Sequence, residues 1–171
     1  SSDWNIGHSI YVNSIEKSNA HAVDLIENGI ESLVFTLPSE SFSIEDLLKN
    51  IDTSSLPIYF VPLFISEKLI QMLQAFSDKN KTVFYVLQDP IGHLARSGNW
   101  YENLKSDLHT LKQTLSIGSA LDGLISVDLG LFQNAGASMI QQLAYTLAHA
   151  NEYLNMLGNE RINCVVFKVS V

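Results

Sequence analysis

The sequence predicts an α/β fold built on a parallel β-sheet. Short apolar runs alternate with helical patterns along the 171 residues. Several runs, SLVFTL, PIYFVPL and TVFYVL, are almost continuously apolar, which is typical of parallel strands covered on both faces. The helical segments between them carry recognisable capping residues and closing glycines. This alternation favours right-handed βαβ units.

Six segments are predicted as strands: Trp4–Tyr11, Ser32–Leu37, Pro57–Leu63, Thr82–Leu87, Gly123–Leu129 and Cys164–Val171. Two architectures fit this order, an open doubly wound sheet and part of a (β/α)₈ barrel. Six strands are too few for a complete barrel. The chain also ends inside the sixth predicted strand, at FKVSV. Because a natural domain rarely stops in mid-strand, we expect the biological chain to be longer.

The first three predicted helices have legible ends. Ser18 is predicted to open the first helix and Gly29 to close it. Ser43 opens a short second helix and Ser66 opens a third. Their apolar residues recur at helical spacing: Ile44, Leu47, Leu48 and Ile51 in the second, and Leu69, Ile70, Leu73 and Phe76 in the third.

Two further helices are predicted from their apolar stripes. The stripe of the fourth is Trp100, Leu104, Leu108, Leu111 and Leu115. The last is the longest, with a stripe of Ile140, Leu143, Leu147, Ala150, Leu154 and Leu157 that Gly158 ends. It is preceded by Gln133–Ala137, which we interpret as a tight turn from strand to helix.

Composition excludes several classes of protein. The chain has the size of one domain, predicted over residues 1–171, and can bury a substantial core. Its net charge is −8 and its few Lys and Arg residues form no patch, which argues against nucleic acid and anionic membranes as partners. No apolar run reaches the roughly 20 residues of a membrane span, and SSDWNIG is not a signal peptide. A single cysteine indicates a reducing, cytoplasmic location.

No metal or phosphate motif is present in the sequence. Its five histidines, His8, His21, His93, His109 and His149, have no zinc-ligand spacing. No glycine-rich phosphate signature occurs. Cys164 begins a predicted strand without an evident partner, so we interpret it as a core thiol and not as a nucleophile.

Gln88–Gly98 is the candidate ligand segment. It follows a predicted strand, so it lies at the carboxyl end of the sheet, where α/β proteins bind ligands. Two interpretations stay open: a ligand-facing loop, or an Asp-Pro turn held together by Asp89 and Arg96. Asp128 ends the fifth strand at the same face. It has no obvious catalytic partner, and we favour a loop-bracing role for it.

Three segments in order resemble one enzyme family. They are WNIGHSIYVNSIEKSNAHAVDLIENGIESLVF, QDPIGHLARSGNW and LISVDLGLFQNAGASMIQQLAYTLAHANEYL. Together they are similar to the substrate-binding barrel of methylmalonyl-CoA mutase, most of all to the small (β) subunit of the heterodimeric bacterial enzymes. The resemblance covers essentially the whole chain, and its most specific part is NAGA-x₄-QLA-x₂-LA-x₃-EYL.

The resemblance implies a parallel (β/α)₈ TIM-type barrel, present here as an incomplete barrel of about six strands. In the family, a separate cobalamin-binding domain follows the barrel, and none is expected in this chain. Cobalamin-binding domains place a histidine in an Asp-x-His-x-x-Gly loop. Here Asp107-Leu108-His109 lies inside a predicted helix with Lys112 at the glycine position, so we expect a solvated helix face.

The family's chemistry is the interconversion of methylmalonyl-CoA and succinyl-CoA by adenosylcobalamin radical rearrangement, with pantetheine along the barrel axis. Catalytic subunits carry a tyrosine and an arginine on the first strand, where this chain has Ser9 and Gly7. Their Tyr-His pair is replaced by Gly130 and Leu131. Leucine donates no hydrogen bond, and loss of one such donor lowers a rate by roughly 10²–10³. The resemblance therefore implies no catalytic residues here.

Three hypotheses follow. In the first, the chain is a non-catalytic small subunit that stabilises a large catalytic subunit in a heterodimer, and adenosylcobalamin belongs to the complex, with none bound by this chain. In the second, it is a working acyl-CoA mutase barrel that binds a CoA ester. Its substrate-facing candidates are Gln88, His93, Arg96 and Gln133. The third is an unrelated small-molecule-binding α/β module.

The barrel interior separates the first two hypotheses. An active barrel needs a channel lined by small polar residues, whereas a structural subunit can fill its interior with bulky ones. Candidates for filling are Trp4, Tyr11, Phe60, Phe84 and Phe167. Alternation along the strands leaves open which of them point inward.

Overall fold

The structure is a computed structural model that describes residues 5–157 and 165–169. Its strands are β1 Gly7–Tyr11, β2 Ser32–Leu37, β3 Ile58–Pro62, β4 Phe84–Val86, β5 Ile125–Asp128 and β6 Val165–Lys168. Its helices are α1 Ile15–Glu27, α2 Ile44–Leu47, α3 Glu67–Asn80, α4 Pro90–Ser97, α5 Leu104–Ile117, α6 Gly130–Asn134 and α7 Met139–Leu157. All six predicted strands are present; β2 has the predicted bounds and the other five are shorter within the described residues. The predicted parallel α/β architecture is confirmed.

The strands follow one another in space in the same order as in the chain. β1, β2, β3 and β4 form a parallel sheet in that order, and β5 pairs with β6 in parallel. Isolated parallel bridges join Tyr85 to Asp122 and Gln88 to Ile125, so the two sheets meet between β4 and β5. A doubly wound sheet reverses its strand order, and the described strands show no reversal.

The winding places the packed helices on one face of the sheet. Right-handed crossovers that always advance in one direction put their helices on the same side. Consistently, α1 packs against α2, α2 against α3, and α3 against α5. The residues beneath this layer are fully buried, namely Leu33, Phe35, Leu37, Ile58, Phe60 and Phe84.

The opposite face of the sheet is less covered. Its residues alternate with the buried set and are only half-buried in the described structure, namely Val34, Thr36, Tyr59, Val61 and Tyr85. The expected equal cover on both faces is therefore not found in the described residues. An apolar run shows that a strand is shielded, but it does not show that each face has its own helix layer.

Helix boundaries confirm most of the predicted caps. The hydroxyl oxygens of Ser43 and Ser66 accept hydrogen bonds from backbone N–H groups at the starts of α2 and α3. Gly29, at φ +92°, follows the end of α1 in a conformation that favours glycine. The prediction for Ser18 was wrong, because Ser14 caps α1 and Ser18 is buried one turn inside the helix.

The segment predicted as a loop is largely helical. Pro90–Ser97 forms α4, with Asp89 as its N-cap, Pro90 in the first turn and Gly98 at its end with φ +76°. The Asp-Pro pair that suggested a turn starts a helix here, since proline suits the first helical position. The fourth predicted helix, now α5, begins at Leu104, and Trp100 lies before it.

Gln133–Ala137 does not begin the long helix directly. Gln133 and Asn134 close the short helix α6, which was not predicted. Gly136, at φ +82°, turns the chain, and α7 then starts at Met139.

The predicted apolar stripe of α7 was wrong in the first half of the helix, whereas its members Ala150 and Leu157 are buried or packed against the core. Its buried residues are Thr146, His149, Ala150 and Tyr153. By contrast, Ile140 is 82%, Leu143 57% and Leu147 54% exposed. The inner face carries polar side chains, of which Thr146 and Tyr153 have hydrogen-bond partners, so hydrophobicity alone did not reveal it. Gly158, Cys164 and Val171 lie outside the described residues.

Two truncations test this arrangement. Phe60→Ala removes a fully buried ring and should lower the free energy of unfolding by about 3–5 kcal/mol. Leu147→Ala, at an exposed position, should change it by no more than about 0.5 kcal/mol. Urea unfolding followed by circular dichroism measures both. A loss for Leu147→Ala as large as that for Phe60→Ala would restore the predicted stripe.

Candidate functional site

A pocket of about 210 Å³ opens at the carboxyl ends of β3, β4, β5 and β6. Its polar lining residues are Asp89, His93, Arg96, Tyr101, Ser126, Asp128 and Lys168. Apolar residues from the strand ends, such as Val61, Leu63 and Leu87, complete it. Ligands of parallel α/β proteins bind at this end of the sheet, so this pocket is the candidate site.

Helix α4 brings two of the predicted site residues into the pocket. His93 and Arg96 are three residues apart and so lie on one side of α4. The ring of His93 stacks on that of Tyr101, with centroids 3.9 Å apart and planes 14° from parallel. The pair forms an aromatic part of the pocket wall.

Asp107 holds the segment that carries Tyr101. Its carboxylate accepts hydrogen bonds from the backbone N–H groups of Tyr101 and Glu102, at 2.8 and 3.1 Å. Asp107 is only 1% exposed. The expected solvated face is therefore wrong for Asp107, whereas His109 on the same helix is exposed. Sequence could not show that this carboxylate satisfies two backbone donors.

Asp89 is the most connected side chain of the site. Its Oδ1 accepts hydrogen bonds from the Gly92 N–H and from the Tyr153 hydroxyl, both at 2.8 Å. The His149 Nε2 lies 3.0 Å from the same oxygen. On the other side, Arg96 lies 3.8 Å from Oδ2. The predicted Asp89–Arg96 pairing is present, but it belongs to a helix start and not to a loop.

The first turn of α4 packs closely against the Asp89 carboxylate. A Cβ atom at Gly92 would lie 1.8 Å from Asp89 Oδ2, so only glycine fits at that position. The Ile91 N–H donates to the Tyr153 hydroxyl oxygen at 3.1 Å. Burial, and then the charge of Asp89, raises the pKa of Tyr153, which keeps its hydroxyl available as a donor.

Asp128 has the bracing contacts that the sequence favoured. Its Oδ1 accepts from the Gly130 N–H at 2.9 Å, and Lys168 Nζ lies 3.6 Å from its Oδ2. It thus ties the end of β5 to the start of α6 and to β6. Gly130 is buried and Leu131 is half-buried.

The other predicted site residues lie outside the pocket lining. The Gln88 amide is buried and donates to Thr114 Oγ1 at 3.2 Å and to the Leu124 carbonyl at 3.1 Å. Gln133 is exposed on α6, and Ser9 is exposed on β1. Of the four substrate-facing candidates, the structure thus brings together His93 and Arg96. Their role toward a substrate stays a prediction.

Sequence reasoning missed His149 and Tyr153. They are four residues apart on α7 and face the same side. The available signal was a pair of polar aromatic residues at helical spacing, but the apolar stripe next to it was read as the inner face.

Residues 5–157 and 165–169 contain neither a cluster of metal ligands nor a membrane-spanning helix. No group of three or more potential metal ligands lies together in these ranges. None of the helices there has the length and apolar character needed to cross a membrane.

Comparison with known proteins identifies a distant relative. The chain is 29% identical over 154 residues to a protein named methylmalonyl-CoA mutase small subunit from Streptomyces virginiae. The match covers 84% of this chain but 24% of that protein, so the chain spans about a quarter of the relative's length. No protein-family model matches the chain.

The pKa of Tyr101 yields a test of the pocket wall. Burial first, and then the charge of Asp89, raises this pKa to about 12. Because folding favours the neutral phenol, the stabilisation is present below pH about 10 and is lost as the pH rises toward 12. Tyr101→Phe should therefore reduce the fall in unfolding free energy between pH 10 and 12. The exposed Tyr11→Phe is the matched control, and equal slopes for wild type and Tyr101→Phe would exclude a buried Tyr101.

Proposed function

We propose that this chain is part of an acyl-CoA mutase-type barrel and serves as a non-catalytic subunit that stabilises a large catalytic subunit. The distant likeness to a mutase small subunit supports this role. The observation that carries it is that polar groups at the strand ends are engaged inside the fold. Adenosylcobalamin chemistry would then belong to the partner chain.

The internal use of these groups is consistent across the site. Asp89 accepts two hydrogen bonds and contacts His149, and Asp128 accepts from the Gly130 N–H. The Gln88 amide, just after β4, donates to Thr114 of α5. A general base must reach a substrate proton directly or through one water. Asp89 and Gln88 are buried and committed to the fold, so they are poorly suited to that task.

Positions 130 and 131 support the same conclusion. The resemblance places a Tyr-His pair there in catalytic subunits. Here Gly130 has no side chain, and its N–H already donates to Asp128. Leu131 offers no hydrogen-bond donor. Neither residue can stabilise charge on a thioester oxygen through its side chain.

The winding of the sheet supports the barrel part of the proposal. Six parallel strands that advance in one direction, with helices outside, are the arrangement of successive turns of a (β/α)₈ barrel. Two further strand-helix units would complete the eight. The half-covered face of the sheet would then become the barrel interior.

That interior would be occupied by a tyrosine pair. Tyr59 and Tyr85 are register partners, and their rings stack with centroids 4.7 Å apart. Burial, and then the neighbouring Tyr85, raises the pKa of Tyr59. Ser9 and Val34 lie at the same level of the sheet. Two stacked rings leave little room for a pantetheine chain, which favours a structural subunit.

The residues expected to fill the barrel interior lie on different faces of the sheet. Phe60 and Phe84 lie on the helix-covered face, so the expectation was wrong for them. Tyr11 lies on the same face of β1 as Ser9 and is half-exposed. Phe167 on β6 is also half-exposed. Trp4 lies outside the described residues. In the proposed barrel, Tyr59 and Tyr85 would take the expected role.

The rival is a catalytically competent mutase barrel, and one observation favours it. His93 and Arg96 line the same pocket, where an imidazole and a guanidinium could contact a CoA ester. An unrelated small-molecule-binding module would use the same pocket. Activity of the chain alone separates these alternatives from the proposed role.

The proposed role predicts no turnover by this chain alone. The purified chain is mixed with adenosylcobalamin and methylmalonyl-CoA, and succinyl-CoA is measured with and without the large mutase subunit from the same cells. We expect succinyl-CoA only when the large subunit is present, and co-purification of the two chains. His93→Ala/Arg96→Ala should leave the activity of the complex unchanged.

Two results would contradict the proposal. Turnover by the chain alone, abolished by His93→Ala/Arg96→Ala, would establish the catalytic rival. Failure of the chain to bind the large subunit, together with no turnover, would favour an unrelated binding module.

A further inference from the structure

His149 is a buried titratable side chain that the proposed function does not use. Its side chain is 3% exposed. Its Nε2 lies 3.0 Å from Asp89 Oδ1, yet the two are not aligned for a hydrogen bond. Neither ring nitrogen has a hydrogen-bond partner within the described part of the chain. Buried polar groups usually have partners, so this ring needs an explanation.

Asp89 lies between this histidine and the pocket. Its Oδ1 faces His149, whereas its Oδ2 faces Arg96 at 3.8 Å. Arg96 is half-exposed and lines the pocket. Asp89 Oδ2 is buried and has no hydrogen-bond partner among the described residues. The Asp89 carboxylate thus contacts two basic side chains. His149 is buried and can gain a positive charge, whereas Arg96 lines the pocket and is always charged.

We propose that proton uptake by His149 moves the ion pairing of Asp89 from Arg96 to His149 and frees the Arg96 guanidinium for an anionic group in the pocket. A solvent proton binds the imidazole, and Asp89 remains a carboxylate. The charge of the cluster formed by Asp89, Arg96, His149 and Tyr153 rises by one. Histidine is the side chain whose charge ordinarily changes between pH 5 and 8.

The groups around His149 are compatible with this exchange. Tyr153, on the same helix, stacks on its ring and donates to Asp89 Oδ1. The ring of Phe132 on α6 contacts it edge-on and carries no charge. Towards the pocket, Asp89 also faces Tyr101, whose segment is held by Asp107. Asp89 is the carboxylate that contacts His149 within 4 Å in the described residues.

The pocket would therefore bind anions more strongly as the pH falls. At higher pH, Asp89 neutralises Arg96, and the second pocket cation, Lys168, lies 3.6 Å from Asp128. When His149 is charged, Asp89 pairs with His149, and the positive charge of Arg96 is no longer neutralised. The exchange depends only on the Asp89 cluster and would operate whether or not the chain belongs to a mutase.

NMR titration of the ¹⁵N-labelled chain from pH 8 to 5 tests the proposal. The signals followed are the imidazole resonances of His149 and His93 and the Arg96 Nε–H resonance. We expect the Arg96 signal to move with the midpoint of His149. In His149→Gln, the Arg96 signal should stay fixed, whereas in the control His93→Gln it should move as in the wild type.

His93 is the necessary control because it is a histidine that lines the same pocket as Arg96. An Arg96 signal that follows the midpoint of His93, or that does not move while His149 titrates, would overturn the proposal. The comparison of midpoints in the wild-type chain needs no variant, so it decides the matter even if His149→Gln does not fold.

Discussion

The carboxylate of Asp89 is the interaction on which the site depends. It caps α4, accepts a hydrogen bond from the Tyr153 hydroxyl of α7 and contacts Arg96 at the pocket. A buried carboxylate is costly unless donors or a positive charge offset its desolvation. The fold supplies two donors to Oδ1, from α4 and α7, and places Arg96 3.8 Å from Oδ2. The positions of His93 and Arg96 on α4, and hence the pocket wall, follow from this anchoring.

The second constraint is the one-way winding of the sheet. It separates a helix-covered face, which holds the core phenylalanines, from a face where Tyr59 and Tyr85 stack. Strand-end acids that brace the scaffold and the stacked tyrosines on the less covered face are the observations behind the proposed role of a non-catalytic subunit. Fold and chemistry are separable, and a barrel can keep its packing after its reactive groups are replaced.

The strands could be predicted from sequence because apolar runs report shielding directly. The same signal failed in the first half of α7, where Ile140, Leu143 and Leu147 look like core residues but are exposed. The buried residues are Thr146, His149, Ala150 and Tyr153, of which the predicted stripe contained Ala150 alone. It also failed at Gln88–Gly98, where the Asp-Pro pair begins a helix. The first error arises because Tyr153 finds its partner, Asp89, in a distant segment, which leaves no periodic pattern. The second arises because an Asp-Pro pair suits both a turn and the first turn of a helix. The sequence could place His93 and Arg96 near the pocket because they follow a predicted strand. That placement holds whether the segment is a loop or a helix.

A double-mutant cycle between Asp89 and Tyr153 tests most directly whether the strand-end acid serves the scaffold. The free energy of unfolding is measured for the wild type, Asp89→Ala, Tyr153→Phe and the double variant. If the two side chains act together, the sum of the two single losses should exceed the measured loss of the double variant by about 1–3 kcal/mol. Losses that add within about 0.5 kcal/mol would contradict the account, because Asp89 would then be buried without supporting α7.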